Sequence, residues 1–299
     1  MKKTLFFVLS ICVVLSCEKE VNIPIEYTEP KLVVNGLFNN DSLWEIEISA
    51  SQYIYTNGLP PLVNDAQVIV RDAIGNSVLL SNQGDGIYTS STEKPETGKV
   101  YTLEVSHNNY VNISASNELP NLVSIQQIDW QQQTIVNGEL YRKINVTLQD
   151  SPQDDYYMVR IAATFWEEQW DTITGQWDSV LVQFPLSFMT QSTAAENVSL
   201  KEETPFITFT DNLFNGSQYT IDLLLGEYFF SGEKESIETI YISTSSISQE
   251  YYWYQTSYQN YLNSQGGLFS QPVQVYTNIE NGLGVFAGYS TRIDSIVVQ

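Results

Sequence analysis

Histidine and cysteine are nearly missing from this 299-residue chain, which has one His, His107, and two Cys, Cys12 and Cys17. A zinc site needs several such ligands, so zinc is excluded in practice. A Ser-His-Asp triad would have to use His107, in the turn-like stretch Ser106-His107-Asn108-Asn109. A turn tip holds an imidazole poorly between an orienting acid and a nucleophile. Basic residues are scarce too: 13 Lys+Arg stand against 35 Asp+Glu, a formal net charge of −22. Nucleic-acid binding and docking on anionic lipid both call for basic surface, so both classes fall away. Long hydrophobic runs are also lacking. The apolar stretch from Leu5 to Leu15, broken by Ser10, is shorter than the ~20 residues a membrane-spanning helix needs. No internal repeat of fixed period and no low-complexity tract is present.

Apolar and aromatic residues are plentiful, at 42% and 13% of the chain. That supplies real cores and argues against global disorder. The length suggests two domains of ordinary size.

The first residues, MKKTLFFVLSICVVLSC, combine a positive start at Lys2 and Lys3, a short apolar stretch, and Val14-Leu15-Ser16-Cys17. A small residue directly before Cys at the end of such a stretch resembles a bacterial lipobox. The sequence therefore predicts a lipoprotein signal peptide over 1–16 and lipidation, by palmitate-type acyl chains, at Cys17. Cleavage would remove Cys12, leaving neither a disulfide nor a thiol nucleophile. Several acyl chains anchor stably where one would be marginal. Glu18-Lys19-Glu20 is similar to the surface-export signals of Bacteroidota lipoproteins, or else is a solvated tether. Residues 17–30, with Pro24 and Pro30, form a spacer.

Beyond the spacer the dominant period is two. Leu32–Phe38 is a buried-strand run, and Trp44-Glu45-Ile46-Glu47-Ile48-Ser49 alternates as a half-buried strand does. Residues 67–80 read as a hairpin around Ala73-Ile74-Gly75-Asn76, and Asn82-Gln83-Gly84-Asp85-Gly86 as a tight turn. Short strands with closely spaced turn signals predict an antiparallel sandwich over 31–119. Glu118-Leu119-Pro120-Asn121 closes it. A larger β-rich domain follows over 120–299, with strands near 123–131, 142–149, 156–167, 177–184, 219–225 and 239–245. One helix is predicted near 247–264, where Tyr251, Tyr254, Tyr258 and Tyr261 recur at helical spacing. A capping box between Ser246 and Gln249 opens it and Gly266-Gly267 stops it. Its aromatic side either lies on a sheet or forms a ligand platform. The fold class is all-β.

Within 164–177, TFWEEQWDTITGQW, a turn at Thr174-Gly175 would pair 173 with 176, 170 with 179 and 172 with 177. Trp166, Trp170 and Trp177 then share one face of the ribbon. Three indoles on one face either stack on a ligand or anchor a partner, or they are cross-strand packing inside the protein. A slip of one residue would move Trp177 to the other face.

Carboxylates are the remaining chemistry. Asp150, Asp154, Asp155, Glu167, Glu168, Glu202 and Glu203 are candidates for paired-acid glycoside hydrolysis, although solvated acids explain them better. The 150–155 loop has oxygen ligands for Ca²⁺ but lacks the EF-hand pattern. Gly282-Leu283-Gly284 is no phosphate loop, since no Lys-Ser/Thr follows; its glycines mark a bulge or close strand approach. The sequence predicts no catalytic residue, no metal site and no cofactor.

Several segments together carry a resemblance. The SCEKE start, the KLVVNGLF strand, the GIY and GKVYTLEV module, the Tyr-rich helix and the NIENGLGVFAGY ending resemble a family of Bacteroidota lipoproteins known as domain of unknown function 4249. The module itself looks immunoglobulin-like or transthyretin-like. The resemblance implies an outer membrane location, lipid-anchored and facing the cell exterior. It also implies a TonB-dependent receptor as partner, because members are often encoded beside such transporters. No catalytic residues come with it. In that lineage Asp-Ser/Thr followed by a small or aliphatic residue marks O-glycosylation, which points to Ser42, Thr172, Ser179 and Ser295. The function expected is a non-enzymatic binding or accessory subunit of a TonB-dependent transporter. A structural or envelope-assembly lipoprotein and a carboxylate-based glycosidase are the alternatives.

Overall fold

The computed structural model describes residues 28–53, 56, 58–196, 203–230, 237–265 and 273–298. Cys17 and the whole signal segment therefore lie outside the described residues.

The chain is all-β apart from one long helix. The strands are β1 (Leu32–Phe38), β2 (Glu45–Ala50), β3 (Gln67–Asp72), β4 (Ser77–Gly84), β5 (Ile87–Thr89), β6 (Val100–His107) and β7 (Tyr110–Glu118). There follow β8 (Ser124–Val136), β9 (Glu139–Gln149), β10 (Tyr156–Asp171), β11 (Gln176–Leu186), β12 (Ala195–Glu196), β13 (Phe206–Thr210), β14 (Gln218–Gly226) and β15 (Ile237–Ile247). The helix α1 (Gln249–Ser264) and the closing strand β16 (Leu283–Val297) complete it.

Alternation builds the first sandwich. In β2 the residues Ile46, Ile48 and Ala50 are buried while Glu45 is exposed. Strands β16, β1, β2 and β5 form one side, and β3, β6 and β7 the other. Strand β4 turns the corner between them, pairing with β3 through Leu80 and with β5 from Ser81. A register shift between Asn82 and Gly84 marks the bend. The core holds Leu32, Val34, Trp44, Ile48, Val68 and Leu103, among others.

A second sandwich packs the sheet β12-β13-β10-β15-β16 on the three-stranded sheet β14-β9-β8. Val159, Ile161, Phe209, Ile240 and Ile242 from the first meet Ile144, Val146, Leu148 and Leu223 from the second.

Strand β16 belongs to both units. Its first half runs parallel to β1, from Val33↔Leu283 to Phe38↔Gly288. Its second half runs antiparallel to β15, from Ile247↔Tyr289 to Thr239↔Val297. Leu119 and Val123 sit on either side of the 119/120 boundary, in the first and second cores respectively. Ile279 and Phe286, late in the chain, nevertheless pack in the first core. A parallel partner must come back by a long connection, and here that connection is everything from β2 to the helix, the rest of the first unit and most of the second.

The helix begins two residues later than Ser246 would place it. Its N-cap is Ser248, whose hydroxyl accepts from Tyr251 N at 3.3 Å. That bond satisfies a first-turn donor which no intrahelical carbonyl reaches. Tyr251 and Tyr252 bury against Met158, Ile247, Val285 and Ala287. Tyr254 packs at the edge of the same cluster while Tyr258, Tyr261 and Leu262 stay exposed, so the helix docks through its N-terminal half.

Candidate functional site

Strand β10 outruns its sheet. It pairs with β13 as far as Arg160 and with β15 as far as Phe165. From Trp166 to Asp171 its only strand partner among the described residues is β11. Six residues of strand make a two-stranded ribbon about 20 Å long beyond the sheet.

Along β10 the face of Tyr157, Val159, Ile161 and Ala163 is buried in the second core. The opposite face carries Met158 under the helix, then Arg160, and further out Trp166, Glu168 and Trp170. Across the ribbon Trp166 faces Leu181, Glu168 faces Ser179 and Trp170 faces Trp177. Directly opposed side chains share a face, so all three indoles lie together. Trp166 and Trp170 are each 51% exposed and Trp177 is 65% exposed, which rules out a core position. The Trp170 and Trp177 ring centroids are 5.5 Å apart with planes at 66°. Such edge-to-face pairs add about 0.5–1.5 kcal/mol beyond area burial. That contribution matters here, because an isolated hairpin is only marginally stable in water.

The register differs from the sequence reading. Asp171 pairs with Gln176 and Trp170 with Trp177, in place of 173 with 176 and 170 with 179. The cause is Asp171, whose carboxylate accepts from Ile173 N at 2.7 Å and Thr174 Oγ1 at 2.8 Å. Its backbone carbonyl accepts from Gly175 N at 2.8 Å, and Gly175 has φ +68. A side chain that mimics a turn closes the loop early. The Ile173 N–H, then the Thr174 hydroxyl, hold the Asp171 carboxyl below the usual range. The shift is two residues, and an even shift leaves every side chain on its face.

The ribbon is acidic. It carries Glu167, Glu168, Asp171 and Asp178, and no Lys or Arg occurs between Arg160 and Lys201. Glu167 accepts from Gln169 Nε2 at 2.9 Å on the far face.

The hydroxyls at Ser42, Thr172, Ser179 and Ser295 all belong to exposed residues. Ser42 lies in the β1–β2 turn, donating to Asn39 Oδ1 at 3.2 Å. Thr172 is in the ribbon loop, Ser179 is opposite Glu168, and Ser295, on β16, is opposite Tyr241 of β15.

The other acids are otherwise engaged. A cleft of about 970 Å³ between the two units is lined by Asn117, Asp150, Asp155, Tyr157 and Glu250 among others. Tyr157 donates its hydroxyl to Asp150 Oδ1 at 2.5 Å, and Gly216 N donates to Asp150 Oδ2 at 2.7 Å. Asp155 accepts from Ser151 Oγ at 2.6 Å, and its N–H donates to Asp211 Oδ2 at 3.0 Å. Burial pushes the carboxyls of Asp150, Asp155 and Asp211 up and the Tyr157 phenol well up. These bonds tie the 150–157 loop to the 211–216 turn. Asp154 is exposed, taking a long contact of 3.4 Å from Asn215 Nδ2. Glu203 accepts from the Tyr228 hydroxyl at 2.6 Å. Glu202 lies outside the described residues. Among the described residues no group of acids, His and Cys is arranged to hold a metal ion.

His107 is a turn element. Its Nδ1 accepts from Asn109 N at 3.0 Å, and Nε2 lies 2.9 Å from Asp65 Oδ1. The first of these bonds places the ring proton on Nε2.

One residue, Asp211, escapes the sequence reading, and one candidate, Glu168, takes a different place from the one expected. Asp211 gave no local signal, because its partners are brought by the fold. Glu168 was grouped with catalytic acids, yet the spacing Trp166-x-Glu168-x-Trp170 already sets a carboxylate between two indoles on one face.

A family model described as Domain of unknown function (DUF4249) matches residues 18–293. No curated protein matches the chain.

Proposed function

Because the chain belongs to the DUF4249 family, whose description assigns no activity, we propose its role from the ribbon: a non-enzymatic, lipid-anchored binding subunit that engages its partner through Trp166, Trp170 and Trp177. The observation that carries this is three half-exposed indoles on one face of a hairpin extending beyond its sheet. Exposed Trp is costly in water and is enriched where partners dock. The partner in this reading is a TonB-dependent receptor in the outer membrane, as the family resemblance implies. Acylated Cys17 would hold the protein on the outer face beside it, replacing free diffusion by a high effective concentration.

The test is a detergent pulldown from the native membrane. Wild type should co-purify one large β-barrel. The triple variant Trp166→Ala, Trp170→Ala, Trp177→Ala should lose it while the melting transition of the two cores falls only slightly. Retention of the barrel by that variant overturns the reading. Cys17→Ser should move the protein to the soluble fraction.

A further inference from the structure

The chemistry of what docks on the ribbon follows from Glu168. Resting on the binding reading above, we propose that Trp166, Glu168, Trp170 and Trp177 form a receptor for a cationic side chain, the guanidinium of an arginine-bearing segment of the partner protein.

Strand geometry places Trp166, Glu168 and Trp170 about 6.6–7 Å apart in turn along one face. Trp177 stands beside Trp170, 5.5 Å away by ring centroid. The exposed Glu168 carboxylate is thus flanked along its strand by two indoles and approached diagonally by a third. Among the described residues the Glu168 carboxylate makes no hydrogen bond and no ion pair, whereas those of Glu167 and Asp171 are both occupied. The ion pairs present lie elsewhere, at Arg71–Glu104, Lys99–Glu96, Arg142–Glu227 and Arg292–Asp294.

Charge decides the class of ligand. Four carboxylates and no basic residue on the ribbon repel an anion and attract a cation. A cation over an indole face within about 6 Å is stabilised by the ring quadrupole. Guanidinium suits this frame better than ammonium: it is flat, weakly hydrated, stacks on aromatic rings, and takes a carboxylate through parallel N–H donors. A neutral sugar would use the indoles alone and gain nothing from the formal charge of Glu168. The ribbon is long enough to take several residues of an extended segment, so a polypeptide fits better than a lone small cation.

The test uses the purified full-length lipoprotein in detergent, titrated by calorimetry with three probes. These are a peptide of alternating Arg and Gly, the same peptide with citrulline for Arg, and a neutral glucose oligosaccharide. The Arg peptide should bind about tenfold or more tighter than its citrulline counterpart. Glu168→Gln keeps the shape and removes the charge, and should weaken the Arg peptide about tenfold. Trp170→Ala should weaken it similarly, and high salt should weaken the wild type more than Glu168→Gln. Equal binding of Arg and citrulline peptides, or no effect of Glu168→Gln, overturns the cation proposal. Oligosaccharide binding lost in Trp170→Ala but kept in Glu168→Gln, with no Arg-peptide binding, overturns it too, yet leaves the Trp platform standing. If no probe binds and the tryptophan variants still capture the barrel, the binding reading itself fails.

Discussion

A Cβ on Gly284 would lie 1.9 Å from the carbonyl oxygen of Val34, its parallel neighbour across β1 and β16. Gly284 also has φ +96, where side chains are strained. Gly284→Ala should therefore cost about 3 kcal/mol or more, from overpacking and backbone strain together. Gly138 has φ +87 but open space around it, so Gly138→Ala should cost only about 1 kcal/mol. Urea denaturation of the two variants checks the difference.

Phe286, also on β16, is fully buried and packs against Phe38 and Trp44, at ring-centroid distances of 4.7 and 6.3 Å. Phe286→Ala should destabilise by about 3–5 kcal/mol. Trp170→Ala removes an aromatic residue too, but from a half-exposed site, and should cost about 1 kcal/mol or less. Thermal melts of the two variants separate a core aromatic from a binding one.

Acid should stabilise the cleft. Folding raises the carboxyls of Asp150, Asp155 and Asp211, with burial as the leading cause. The folded state then holds more protons than the unfolded state above about pH 3.9. The contribution is complete below that pH and is lost as pH rises through the raised values. The melting temperature should fall from mildly acidic to neutral pH, and Asp150→Asn should flatten that slope. Tyr157→Phe leaves a buried carboxylate without one donor and should cost about 1.5–3 kcal/mol at neutral pH.

A glycan on Ser179 would stand between Trp166/Leu181 and Trp170/Trp177, and would block the face. Intact mass and peptide mapping of protein from the native host should therefore place any glycans on Ser42, Thr172 or Ser295 and leave Ser179 bare. A glycan on most Ser179 copies contradicts the binding reading.

Local features of the fold were legible in the sequence. The alternation of β2 shows which residues face the core, and the Gly282-Leu283-Gly284 stretch signals a close strand approach. The pairing of β1 with β16 was not legible, because no local pattern reports a parallel neighbour from the far end of the chain. In the site, period-two spacing puts Trp166 and Trp170 on one face, and the expected turn adds Trp177 to it. It does not show exposure. Met158 and Trp166 occupy the same face of β10, one buried and one open. The difference lies in the helix that covers Met158 and in the strand neighbours that stop at Phe165. The register depended on the Asp171 side chain, which closes the turn two residues sooner than Thr174-Gly175 alone suggests.

The ribbon tip offers the most direct measurement. Ile173 is 93% exposed there, and Ile74, in the β3–β4 turn, is 83% exposed on the other unit. A photo-crosslinking amino acid at each position, activated in intact native cells, compares the two surfaces. The account predicts a β-barrel adduct from position 173 that disappears with Trp170→Ala and Trp177→Ala, and none from position 74. A β-barrel adduct of equal yield from both positions, or none from 173, would contradict it.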